Sequence, residues 1–151
     1  MAIYHRALAR LKLGDTSALA EMERVRNDHR LDELIAKHPE TADIFLFIAN
    51  SEVKSKRPDR AIEAGMQGLP VVEKAGQTHT QALLLYVLAE SWVHLFYENP
   101  RNPENLDLAA HYLSRSIRLI PDLKRKFAVE PYFDDVRAEL DDRLLANEQN
   151  R

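Results

Sequence analysis

The chain of 151 residues contains no cysteine. Disulfides and thiolate-ligated metals are therefore excluded, and the absence fits a reducing compartment, the cytoplasm. Glycine is scarce, with only four residues, and β-branched residues never alternate over a long run, so nothing in the pattern points to a sheet. Long apolar runs are missing too. The most extended, residues 82–89, falls far short of the ~20 residues needed to cross a bilayer, and no secretory signal pattern is seen. Neither sign of charge dominates: the net charge is −3 and the isoelectric point about 6.1. A nucleic-acid binder ordinarily shows a basic face and a high isoelectric point. The densest basic cluster, Lys124, Arg125 and Lys126 with Arg115 and Arg118 upstream, is followed at once by Glu130, Asp134 and Asp135. It reads as a solvated helix end. Neither nucleic acid nor membrane is an expected partner.

What the sequence does contain is helical periodicity. Hydrophobic residues make up 45% and charged residues 30%, the balance of a chain that folds around a core of its own. Apolar residues recur at spacings of three and four, and most of the seven prolines punctuate the intervals. A first helix is predicted over residues 2–13, with Ile3, Ala7, Leu8 and Leu11 on one face and a turn at Gly14 and Asp15. A second follows over 16–26, then a short apolar motif, Leu31, Leu34 and Ile35, ended by His38-Pro39. A third helix is predicted over 41–55, a fourth from Asp59 that Pro70 kinks or ends, and a fifth over 78–98, apolar on most sides and so buried. Asn102 and Pro103 form a start signal, a capping side chain with proline at the first helical position. The sixth helix then runs to Leu119 before Pro121, and a last one spans about 131–146. The pattern opens at Ala2 without a capping residue, which points to a segment of a larger chain.

The helices pair, and the pairs repeat. The third and fourth carry Phe45, Ile48-Ala49, Glu52 and Ala61, with Gly65 and Gly68 following. The fifth and sixth carry Leu85, Leu88-Ala89, Trp92, then Ala109, Leu113, Ser116 and Pro121. Ala49 to Ala61 and Ala109 to Pro121 are both twelve residues apart, and Ala49 to Ala89 is forty. The first pair fits more loosely through Tyr4, Ala7-Leu8, Leu11, Ala18, Met22 and Val25. In these residues the chain resembles the tetratricopeptide-repeat (TPR) family over residues 2–121. It departs from the pattern where Glu52 replaces the usual tyrosine and in two longer loops. The resemblance implies an all-α domain over residues 1–151, a right-handed α-solenoid of antiparallel helix pairs (2–26, 41–75, 78–121) with a capping helix over 131–146. It also implies a concave groove, lined by the first helix of each pair, that accepts a peptide or helix of a partner protein.

Chemistry for catalysis is not evident. The six histidines form no HExxH, and His94 with Glu98 at i, i+4 is two ligands where zinc wants three or four. His79 is a helix-start residue. Asp134-Asp135 and Asp141-Asp142 are adjacent on a helix and point apart, while Asp135 and Glu139 align beside arginines, as a solvated face does. No phosphate-binding loop, nucleophile elbow or EF-hand loop is present; Gly65 and Gly68 read as a close helix contact. No enzyme, metal or cofactor is expected. The groove register selects Phe47, Asn50 and Lys54 from the third helix and Tyr86, Glu90, His94 and Val93 from the fifth as partner-binding residues. Asn50 and Lys54 suit the carboxylate clamp of some family members, but Glu90 opposes it, which favours a mixed apolar peptide or helix. His94 would make such binding depend on pH. The competing reading is that these side chains pack against a neighbouring or capping helix. Two other functions stay open: a small-ligand sensor built around Trp92, Phe96, Tyr97 and Tyr112, and an oligomerisation domain.

Overall fold

A computed structural model describes residues 5–7, 9–10, 13, 15 and 17–150. Of the predicted first helix, residues 5–7 and 9–10 are helical and Ala7 is fully buried. Its positions Ile3, Tyr4, Leu8 and Leu11, and the turn residue Gly14, lie outside the described residues.

The elements follow in order as α1 (Ala18–Arg26), α2 (Leu31–Lys37), a 3-10 turn (Pro39–Ala42), α3 (Asp43–Lys54), α4 (Pro58–Lys74), α5 (Thr78–Glu98), α6 (Glu104–Leu119), α7 (Leu123–Val129), a second 3-10 turn (Pro131–Phe133) and α8 (Arg137–Gln149). No strand occurs among the described residues. The burial pattern explains each helix. Ala18 with Met22, Leu31 with Ile35, and Leu140 with Leu144 are i, i+4 pairs that turn one stripe inward on α1, α2 and α8. α5 is different: every residue from Leu84 to Ala89 is buried, because neighbours cover it on several sides. Its largest contact is with α6, then α4, and it also touches α3. α3 packs on α4 and on α1, and α6 packs on α8.

Small residues set the helix approach. An added Cβ at Gly65 would stand 2.6 Å from Leu88 Cδ2, and one at Gly68 2.6 Å from Phe45 Cγ and 3.1 Å from Leu84 Cδ2. The two glycines thus let α4 settle against α5 and α3, and Ala49, Ala61, Ala89 and Ala109 are fully buried. Two hydroxyl bonds add register. Ser116 Oγ donates to the Ala82 carbonyl at 2.7 Å, tying α6 to α5, and Thr80 Oγ1 donates to Asp43 Oδ1 at 2.6 Å, tying α5 to α3.

α3 and α4 end in the same way. Lys56 N–H donates to the Val53 carbonyl and Arg57 N–H to Glu52; Gly76 N–H donates to Glu73 and Gln77 N–H to Val72. This is the Schellman closure, and it places Lys56 and Gly76 at φ of 59° and 70°. The Glu52 carboxylate, almost fully buried, accepts from Arg57 Nε in that turn. That ion pair gives the buried acid its partner.

Of the two outcomes open at Pro70, an end of the helix is excluded, since α4 continues to Lys74. Pro70 is exposed, so water reaches the carbonyl that its missing N–H leaves free, while Leu69 and Val72 beside it are held in the core. The start of α6 has no side-chain cap. Pro103 is already helical at φ −69° and ψ −17°, and its carbonyl accepts from Leu106 and Asp107. Asn102 thus stands just before a helical proline, as the start signal expects, but its side chain makes no capping hydrogen bond.

Candidate functional site

Positions 47, 50 and 54 form one stripe of α3, and 86, 90, 94 and 97 one stripe of α5. The electrostatics show that the stripes are neighbours, since the Lys54 ammonium lowers the proton affinity of Glu90 from across the helix pair. Phe47 and Asn50 are half-buried and Lys54 is exposed. His94 keeps 19% of its side chain accessible and places Nε2 3.3 Å from the Glu98 carboxylate. Val93 is fully buried and so belongs to the core.

Tyr86 is in a different situation. It is only 1% exposed, because residues 126–133 of the same chain lie over it. Its hydroxyl donates to Glu130 Oε2 at 2.5 Å, Lys126 Nζ sits 4.6 Å from the ring centroid, and Phe133 meets the ring edge-on at 5.8 Å. The cover continues along the stripe. Tyr132 donates its hydroxyl to the Glu90 carbonyl at 3.0 Å, and Tyr97 donates to the Tyr132 carbonyl at 2.8 Å. An open partner groove at Tyr86 is thus corrected to an internal interface: the α5 half of the face is filled by the chain's own segment after α6. The physical reason is apolar burial, since Leu123, Phe127 and Phe133 are buried beneath it.

This packing perturbs the acids and phenols. Burial pushes the Glu90 carboxyl up to about 7, the facing Glu130 carboxylate adds to the rise, and Lys126 and Lys54 oppose it. Burial, then the hydrogen bond to Glu130, holds the Tyr86 phenol far above its ordinary range. Burial and the Glu90 charge do the same for Tyr132. Arg137 fixes the end of the segment, donating from Nη2 to the Glu130 carbonyl at 2.6 Å and from Nε to the Phe127 carbonyl at 3.2 Å. A cation at the carbonyl end of α7 is where a helix favours one.

Sequence reasoning missed Lys126, Glu130, Tyr132, Phe133 and Arg137 as members of this face. The signal was present in Pro121 and Pro131, which bracket a short helix and let the chain reverse. Nothing local says which helix that reversed segment reaches.

The other singled-out groups are dispersed. Phe96 and Tyr97 are ring neighbours at 6.4 Å, but the Tyr112 hydroxyl approaches Met66 Sδ on α4 at 3.1 Å, so the aromatics suggested for a ligand cavity serve different contacts. Glu23, Arg26, Glu52, Arg57, Arg60 and Glu63 line an open cleft of about 450 Å³ between α1 and α4. Its three acids and three arginines balance, and desolvation raises the Glu23 carboxyl. Among the described residues no cluster of three or more His, Asp or Glu is placed to hold a metal ion, and no helix is long and apolar enough to cross a membrane. Compared with protein-family models, curated proteins and solved structures, the chain matches none.

Proposed function

We propose that the chain is a protein-interaction module of TPR type, a right-handed stack of helix pairs that binds a peptide or helix of another protein rather than catalysing a reaction. The observation that carries this reading is the contact pattern: α3 packs on α4, α4 on α5, α5 on α6, and α3 directly on α5. That is the order expected when the first helices of successive pairs lie side by side and present one shared face. The contact of α1 with α3 extends the same order backwards. Small buried residues at Ala49, Ala89, Gly65 and Gly68 support the close approach such stacking needs.

Within this reading the partner meets the accessible part of the face: Asn50 and Lys54 from α3, and His94 with the 36%-exposed Tyr97 from α5. Asn50 and Lys54 supply directional polar contacts and Tyr97 rigid apolar area, the residue type enriched at binding hot spots. The test is affinity capture from a native lysate with the intact chain, followed by titration of the captured partner against Asn50→Ala and Lys54→Ala. Each change is expected to weaken binding by ~1 kcal/mol or more with the helical content unchanged. Full affinity in the double variant would move the binding surface away from α3.

A further inference from the structure

We propose that the groove between the end of α6 and α8 is the surface by which two copies of this chain pair, the acidic wall of each copy seated on the basic wall of the other. This surface shares no residue with the α3–α5 face, so it stands apart from the partner site proposed above.

The groove encloses about 510 Å³, with Ile117, Pro121, Leu144 and Leu145 as its apolar lining. Leu144 is buried, whereas Leu145 beside it is 57% exposed. The charges at the rim are sorted by sign. Arg118 of α6 and Lys124 of α7 stand on one wall, Asp141 and Glu148 of α8 on the other. All four are exposed, and none has an ion-pair partner among the described residues. Other charges at the same end of the molecule are paired: Arg143 reaches Asp107 of α6, and Arg137 reaches Asp134. The two walls of the groove thus keep opposite charges apart, with apolar side chains between them.

This pattern is complementary to itself. Asp141, Leu145 and Glu148 fall at i, i+4 and i+7, so α8 presents acid, leucine and acid in one stripe about 10 Å long. The opposite wall presents base, apolar and base: Arg118, then Ile117 with Pro121, then Lys124. A two-fold axis along the groove lays the stripe of one copy on the wall of the other and repeats the contact in reverse. Leu145 of one copy then covers Ile117 and Pro121 of the other, while Asp141 and Glu148 meet Arg118 and Lys124. A foreign helix would need the same acid–leucine–acid stripe, and this chain already carries it. Exposed ion pairs add little affinity; here they set the orientation, and the leucine supplies the apolar contact. One helix stripe from each copy is a small interface, so the pair is weak and exchanging, with a dissociation constant on the order of 100 μM.

Sedimentation equilibrium of the intact chain, at concentrations reaching about 0.5 mM, reads the pairing directly. A monomer–dimer equilibrium is expected, weakening as salt is raised. Leu145→Glu, at an exposed position, is expected to raise the dissociation constant at least tenfold with the circular dichroism unchanged. Asp141→Lys with Glu148→Lys makes both walls basic, and Arg118→Glu with Lys124→Glu makes both acidic. Each double variant is expected to be monomeric alone, and the two mixed in equal amounts to form a heterodimer. A parent chain that stays monomeric over the whole range would overturn the proposal and leave the groove to a helix of a different protein. A dimer that survives Leu145→Glu, or either reversal, would overturn it by placing the contact elsewhere. So would reversed variants that remain monomeric when mixed. If a double variant does not fold, Leu145→Glu and the single change Glu148→Lys decide the matter.

Discussion

A methyl group at position 68 has nowhere to go. Phe45 Cγ lies 2.6 Å from where it would stand, and the Phe45 Cβ, fixed close to its own backbone, is also in the way. At Gly65 the obstacle is the branched end of Leu88, which has rotamers to escape into. We expect Gly68→Ala to destabilise by ~1–3 kcal/mol, the usual scale of overpacking, and Gly65→Ala by less, because the end of Leu88 can yield where the Phe45 Cβ cannot. Urea unfolding midpoints with an unchanged denaturant slope check both. Glu90 makes a second prediction at this scale. Its carboxyl is raised to about 7 in the folded chain, so folding takes up a proton between its ordinary 4.5 and that value. Stability should fall as pH rises across this window, by at most one proton's worth, about 1.4 kcal/mol per pH unit. Glu23, also raised, acts in the same direction. Denaturant unfolding at pH 5, 6 and 7 should show the decline, and Glu90→Gln should flatten it. The glycine contacts were legible in the sequence, because two small residues in a helical pattern call for close approach. The state of Glu90 was not, since it depends on burial first and then on Glu130 and Lys126, which lie far along the chain.

Two turns of the same geometry follow α3 and α4, one with glycine at the left-handed position and one with lysine. A non-glycine residue there costs about 1–2 kcal/mol. Lys56→Gly is therefore expected to stabilise by about 1 kcal/mol and Gly76→Ala to destabilise by a similar amount. For a chain of this size that is about 2–4 °C in melting temperature in each direction. A Lys56→Gly variant that melts below the parent would show that the lysine side chain contributes more than its backbone strain costs. The helices themselves were legible: apolar spacing placed α3, α4, α5 and α6 within a few residues, and Gly76 marked the end of α4. Proline was less reliable as punctuation. Pro58 and Pro39 open helical turns, but Pro70 sits inside α4, where burial of Leu69 and Val72 on either side outweighs the cost of an interior proline. The left-handed backbone of Lys56 left no signal, because lysine does not announce a positive φ. Glu52, the partner of Arg57 in that turn, was seen only as a departure from the repeat.

At the scale of the molecule, the order of helix contacts follows from alternation along the chain, since short turns force neighbours to pack antiparallel. The path after α6 does not follow from alternation. The segment from 122 to 133 turns back across α5, and α8 then lies on α6 with Leu140 fully buried and Arg143 Nε 2.7 Å from Asp107 Oδ1. Such a return is specified by tertiary fit, by Phe127, Phe133 and Val136 each finding a buried site, and periodicity carries no information about it. This dictates the last prediction, on removal of residues 120–151. Without them the face of α5 around Tyr86 and the outer face of α6 lose their covers together, and apolar surface meets water on two adjacent helices. Large exposed apolar patches on a folded domain drive association. The shortened chain is expected to keep its helical circular dichroism, because α3 to α6 retain one another, but to melt lower and to run as a self-associated species in light scattering after size exclusion. Substituting Phe127→Ala and Phe133→Ala in the intact chain should reproduce the lower melting temperature, at ~3–5 kcal/mol for each well-buried ring. A shortened chain that stays monomeric with the parent's melting temperature would mean that the face covered by residues 122–133 is stable when open, and that the cover contributes nothing to the fold.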